Sequence, residues 1–209
     1  MISPEQTEHV KNWLGSGSIN FFGRPYAGKD SQGKRLASKL GGQLLGGGAI
    51  LRASVIPPHV QQKMDSGELI DSQDYVDIVL PFLSSAAFAN KPLLLSAVGR
   101  FSGEEPNVMA ALDASDHPLK AVISLVADES VSIERWHARH DHGDRVGRAD
   151  DIEYSVLETR LVEYRDKTEP VIEFYRQKGL VIEIDATKSR EQVHDDILAQ
   201  LALRATSEQ

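Results

Sequence analysis

Gly23-Arg24-Pro25-Tyr26-Ala27-Gly28-Lys29-Asp30-Ser31-Gln32 is the stretch with the clearest chemistry. It has the pattern Gly-x-x-x-x-Gly-Lys. An apolar run, Ile19-Asn20-Phe21-Phe22, precedes it, and a helical pattern through Leu36, Ala37 and Leu40 follows. Strand, glycine-rich loop, helix is the setting in which backbone N–H groups cradle phosphates. The glycines let the chain curl into a nest of donors, and the helix start adds partial positive charge. Lys29 brings a mobile full charge to the outer phosphates. Gly23, Pro25, Ala27, Gly28, Lys29, Asp30 and Ser31 are therefore expected against a polyphosphate.

The elements that would position this loop follow from the rest of the chain. Its 209 residues, 41% of them apolar, fit one compact domain. A net charge of −8 disfavours nonspecific nucleic-acid binding, although a local cationic pocket is compatible with it. With no cysteine, disulfides and thiolate metal sites are excluded, in keeping with a reducing compartment. No apolar run approaches membrane length and the polar start shows no signal peptide, so a cytoplasmic monomer is expected.

Five apolar runs read as strands: around 19–22, 43–45, 93–98, 121–126 and 180–184. Helical patterns alternate with them. Ser3-Pro4-Glu5-Gln6 starts the first, which reads as an extension over residues 1–17 packed on the body. One helix is expected from Ser72 through Phe88, and a long one from Asp150-Asp151 through Tyr175. A last helix runs from Ser189 to Leu203, with a frayed tail. Alternation of this kind predicts an α/β fold, a five-stranded parallel sheet flanked by helices, with ligands at the carboxyl ends of the strands.

The order of motifs resembles the adenylate kinase family of nucleoside monophosphate kinases, of the short-lid kind, over roughly residues 18–203. The resemblance rests on the phosphate loop with Gln32, Leu51-Arg52, Gly67-Glu68-Leu69-Ile70 and the strand ending in Arg100. Arg160-Leu161-Val162-Glu163-Tyr164, Thr168-Glu169-Pro170 and Ile184-Asp185-Ala186-Thr187-Lys188 extend it. It implies the α/β P-loop kinase fold, with a kinase domain over 18–205, an acceptor-binding insert at about 46–89 and a lid at about 140–150. ATP and Mg2+ would be used, and a nucleoside monophosphate, AMP by family default, would accept the phosphoryl group. Arg52 and Arg100 would grip the acceptor phosphate, and Gly67, Leu69 and Ile70 would line its base. Arg135 and Arg139 would meet the donor, Arg148 and Arg160 would close on the transferring group, and Ala186 and Lys188 would contact the donor base. Physical chemistry agrees: phosphoryl transfer needs alignment and charge neutralisation, and guanidinium forks suit phosphate.

Three features depart from the family pattern. Ser96 stands where an Asp usually holds magnesium through water, and Asp30 replaces a small glycine after the lysine. A carboxylate beside phosphates is repulsive unless a cation lies between. Asp30 therefore either takes over the magnesium-water role or points outward from the first helical turn, where negative charge is favoured. After Arg100, Glu104 and Glu105 occupy the region where a Gln commonly reads adenine. They either read the acceptor base, in which case GMP or CMP is an alternative acceptor, or are exposed acids at a helix start. Two rival functions remain: a nucleotide-binding sensor with little turnover, and a kinase for a non-nucleotide acceptor.

Overall fold

The computed structural model describes residues 2–141 and 153–208. Its centre is a parallel sheet of β1 (Ser18–Gly23), β2 (Gln43–Gly46), β3 (Leu93–Ser96), β4 (Leu119–Val126) and β5 (Val181–Asp185). The strand order is β2-β3-β1-β4-β5. Every residue of β1 and β3 is buried, because helices cover both faces; this is why these strands are apolar runs and not alternating ones. Register aligns Phe21 of β1 with Ser96 of β3, and Ser96 with Gly46 of β2. The carboxyl ends of three strands therefore meet at one edge, beside the point where the connections diverge to opposite sides of β1.

One face carries α2 (Lys29–Leu40), α10 (Arg190–Ser207) and α1 (Pro4–Leu14), whose Leu36, Ile197, Leu201, Val10 and Leu14 share a core with Ile19, Phe21 and Ile123. A reciprocal Ser3–Gln6 capping box starts α1, as the sequence predicts, and Ser189–Gln192 starts α10 in the same way. The end of α10 is fastened, not frayed: it is helical to Ser207, and the Trp13 indole donates to Glu208 at 2.8 Å. The opposite face packs Phe22, Leu95 and Val122 against α6 (Glu105–Ala114), α9 (Glu169–Gln177), which contributes Tyr175, and an insert. The insert comprises α3 (Gly47–Ala53), α4 (Pro58–Ser66) and α5 (Ser72–Ile78).

Three expectations about elements need correcting. The helix expected from Ser72 to Phe88 is broken into α5 and two 3-10 turns, Leu80–Ser84 and Ala86–Phe88. Pro81 has no N–H to give to the carbonyl of Asp77, and its ring crowds that carbonyl. The long C-terminal helix is likewise divided. After α7 (Glu129–Asp141), the described chain resumes and forms α8 (Tyr154–Glu163), a π-helical turn at Tyr164–Thr168, and then α9. Pro170 cannot donate to Asp166, and the wider turn absorbs the missing bond. Finally, β3 stops at Ser96 and not at Val98, since Ala97 turns to φ 51°.

Candidate active site

The phosphate loop runs from the end of β1 to the start of α2, and its shape is forced residue by residue. A side chain at Gly23 would meet the Leu125 carbonyl at 2.8 Å, so only glycine passes there. Gly28 caps α2 at φ 99°, a left-handed conformation that L side chains rarely adopt. Tyr26 adopts φ 62° without being glycine. It is held there by its ring, which packs with Trp136, Leu157 and Leu161, and by Arg139, whose guanidinium lies 5.9 Å from the ring centroid. Arg24 anchors the start of the loop, donating to the Ala127 carbonyl at 3.0 Å and to Glu169 at 2.9 Å. Lys29 donates to the loop's own carbonyls, those of Gly23 at 2.7 Å and Arg24 at 2.8 Å. Its ammonium thus sits over the hollow that the loop encloses.

The loop opens on a cleft of about 1170 Å³ at the carboxyl edge of the sheet. The expected phosphate-loop residues Gly23, Pro25, Ala27, Gly28, Lys29, Asp30 and Ser31 all line it. So do Arg52 from α3, Arg100 beyond β3, Arg135 and Arg139 from α7, and Arg160 from α8. Gly67, Leu69 and Ile70 form a wall on the insert side, and Ala186 and Lys188 one beyond β5. Arg148 and most of the segment expected as a lid lie outside the described residues. Arg135 bridges two parts of the donor side, donating to the Tyr26 carbonyl at 3.3 Å and to the Ala186 carbonyl at 2.5 Å. Lys188 is drawn outward by Asp196 at 2.7 Å, which raises its pKa.

Asp30 does not simply point outward. Its carboxylate accepts a 2.6 Å hydrogen bond from the Ser96 hydroxyl at the end of β3, and both residues line the cleft. An acid and a hydroxyl therefore share the place beside the phosphate loop. Among the described residues there is no cluster of three or more His, Asp or Glu side chains able to cage a metal. Mg2+ suits such a site, because it keeps several waters and takes the rest of its oxygens from one or two carboxylates and substrate phosphates. The Asp30–Ser96 pair fits that requirement.

Glu104 and Glu105 are not exposed acids: each is 3% exposed, and neither lines the cleft. The Glu104 carboxylate accepts from the Phe101 N–H at 3.1 Å, and that of Glu105 from the Gly103 N–H at 2.7 Å. Burial pushes the Glu104 carboxyl above the usual range, against hydrogen bonds that favour its ionised form. Nothing in the sequence assigns Glu163 a role of its own, although it lies between Arg160 and Tyr164 in a segment that carries the resemblance. Its carboxylate accepts from the Leu69 N–H at 2.9 Å and pairs with Lys167 at 2.7 Å, so it ties the insert wall to α8. Asn20, buried in β1, is a second such residue: its amide donates to the Val98 carbonyl at 2.7 Å. An amide within the apolar run Ile19-Asn20-Phe21-Phe22 is the signal that could have found it.

A phosphate loop and converging guanidiniums on one cleft accord with what the chain is similar to. The family model for adenylate kinase matches residues 21–180. The chain belongs to the adenylate kinase family. An adenylate kinase of Parasynechococcus marenigrum (strain WH8102) is 35% identical over 190 residues, covering 87% of this chain and 97% of that one. One of Methanosarcina mazei is 28% identical over 212 residues, covering 88% and 98%. Among solved structures, a gluconokinase from Sinorhizobium meliloti 1021 superposes with a TM-score of 0.63 at 23% identity, covering 92% of this chain and 95% of that one. That likeness speaks to the fold, a P-loop kinase fold. As a member of the adenylate kinase family, the chain is a nucleoside monophosphate kinase that uses ATP and Mg2+. No helix among the described residues is long and apolar enough to cross a membrane.

Proposed function

We propose that this kinase transfers the γ-phosphoryl group of ATP to AMP, acting as a cytoplasmic monomer. The observation that carries the reading is the convergence on one cleft of the phosphate loop, Arg135 and Arg139 from one side and Arg52, Arg100 and Arg160 from the other. A site that merely held ATP has no use for cations on the acceptor side. The relatives named adenylate kinase favour AMP.

In this proposal the loop amides and Lys29 hold the β- and γ-phosphates of the donor, with Ser31 at the first turn of α2. Lys29 exchanges the carbonyls of Gly23 and Arg24 for phosphate oxygens. Arg135 fixes the donor side by clamping Tyr26 to Ala186, and Arg139 joins it. The donor base lies against the backbone of Ala186 to Lys188. Arg52 and Arg100 place the acceptor phosphate in line, with its base against Gly67, Leu69 and Ile70. Arg160 and Arg148 neutralise charge as the phosphoryl group passes. Asp30, with Ser96, would hold Mg2+ through water, and the cation would supply charge neutralisation to the donor phosphates. No general base is needed, because the acceptor oxygen is already ionised. The lid at about 140–150 and the insert at about 46–89 close over the pair and exclude water, which protects the phosphoryl group from hydrolysis.

The test is a coupled ADP-formation assay with ATP and Mg2+ against AMP, GMP, CMP, UMP and dTMP. AMP is expected to give the highest kcat/KM. Highest turnover with another monophosphate would reassign the acceptor. Tight ATP binding with no transfer to any of them would replace the reading with that of a nucleotide sensor.

A further inference from the structure

Arg100 reaches the cleft from a turn that has little regular structure of its own. Residues 97–104 connect β3 to α6, with Ala97, Gly99 and Gly103 all at positive φ. Such a turn is fixed only by what its backbone is bonded to. Asn20 of β1 holds Val98 on both its N–H and its carbonyl. The Gly99 N–H donates to the Tyr75 hydroxyl at 2.9 Å. Thr168, in the π-helical turn, donates to the Arg100 carbonyl at 3.2 Å. The Phe101 N–H donates to the Glu104 carboxylate at 3.1 Å, and the Arg100 N–H and the Ser72 hydroxyl face that carboxylate and favour its ionised form.

We propose that Glu104 is a positioning residue for the acceptor phosphate: its carboxylate fixes the backbone from which Arg100 reaches into the cleft, and ties that backbone through Ser72 to the insert. The inference rests on the kinase reading above and deepens it. A side chain that read the acceptor base would present an oxygen to the cleft, whereas this one is buried with its oxygens turned onto the turn and α5. Glu104 therefore acts on every monophosphate alike, through the phosphate that all of them share. The charged and titratable groups facing it are Arg100 on the turn, Tyr75 on α5 and Tyr175 on α9. Arg100 favours the ionised carboxylate; burial opposes it and prevails.

Glu104→Ala and Glu104→Gln, made in the full chain, test this by KM for AMP, GMP and CMP, KM for ATP, and thermal melting. Glu104→Ala is expected to raise KM for each accepted monophosphate by about tenfold, since a misplaced group of this kind costs of order ten- to a hundredfold, with KM for ATP within about twofold. Glu104→Gln, like the protonated carboxyl, is neutral and keeps one carbonyl oxygen for the turn; it is expected to raise KM for each accepted monophosphate by less than Glu104→Ala does and to melt no lower than the unaltered protein. An unchanged acceptor KM in Glu104→Ala overturns the proposal. So does a changed ratio of kcat/KM between acceptors, which would make Glu104 a base reader. Should Glu104→Ala fail to fold, the pH profile decides. In the unaltered protein, KM for the acceptor should climb as the pH falls into the raised range of this carboxyl, and Glu104→Gln should lack that component. Identical profiles overturn the proposal. An unaltered protein that forms no ADP with any monophosphate refutes the function proposed above. Monophosphate affinity measured by calorimetry then tests the positioning role without turnover, and unchanged affinity in both variants refutes it.

Discussion

The side chain with most to reveal is Asp30. It sits beside Lys29 in a cleft built for anions, where a lone carboxylate would repel the ligand, yet it is bonded to Ser96 at 2.6 Å and not swung away. Asp30→Asn preserves the shape and an oxygen for Ser96 but removes the charge. It is expected to lower kcat by about tenfold and to raise the Mg2+ concentration needed for half-maximal rate, as the loss of groups that hold a metal through its outer shell does. Steady-state kinetics over a magnesium titration check this; an unchanged titration would remove Asp30 from metal binding. The sequence makes the phosphate loop and the cleft arginines legible, because glycine and guanidinium chemistry constrain where such residues are useful. It cannot show which way a short acid turns. Asp30 and the Glu104–Glu105 pair look alike as written, yet one lines the cleft and the others are buried against their own turn.

Among elements, α7 and α8 flank the residues expected to form the lid, and they meet the phosphate loop through one aromatic side chain. Tyr26 packs with Trp136 of α7 and with Leu157 and Leu161 of α8, and Arg139 lies over its ring. Nucleotide binding that shifts the loop must therefore disturb Trp136. In a Trp13→Phe background, where Trp136 is the sole tryptophan, ATP is expected to change its emission, and Tyr26→Ala to abolish most of that change. An identical titration in both proteins would show that the loop and these helices move independently. Element types were largely readable from apolar period and caps, as Ser3–Gln6 and Ser189–Gln192 show. The interruptions were not, although each precedes or contains a proline in plain sight. Pro81 and Pro170 could have begun new helices as easily as broken old ones, and only packing selects 3-10 in one place and π in the other.

For the molecule as a whole, the two cores divide the labour. The one that packs the insert and α9 lies under the acceptor side of the cleft, whereas α1 closes the other face with Val10 and Leu14 fully inside. Leu14→Ala should cost about 2–5 kcal/mol of stability by leaving a cavity, with KM values unchanged, as read by urea unfolding and kinetics. Acid should also loosen this face. Burial, aided by Arg35, lowers the pKa of His194 on α10, so the unfolded chain binds its proton more readily. That contribution is intact above the ordinary histidine range, about 6.5, and is lost as the pH falls through the lower folded value. The melting temperature should fall below that range, and His194→Gln should fall less. Glu104 works in the opposite sense, its raised carboxyl being more comfortable in acid, so the difference between the two proteins isolates the histidine.

The contact between Asp30 and Ser96 also constrains how such a sequence can have arisen. An acid at 96 with one still at 30 would set two carboxylates in direct contact, and one of them would have to keep its proton. A glycine at 30 with serine still at 96 would leave no acid there at all. Each single change passes through an impaired intermediate, so the two positions are expected to be inherited as a linked pair. Ser96→Asp should be tolerated only when Asp30→Gly accompanies it, and the four proteins of that cycle would measure how deep the valley between the two solutions is.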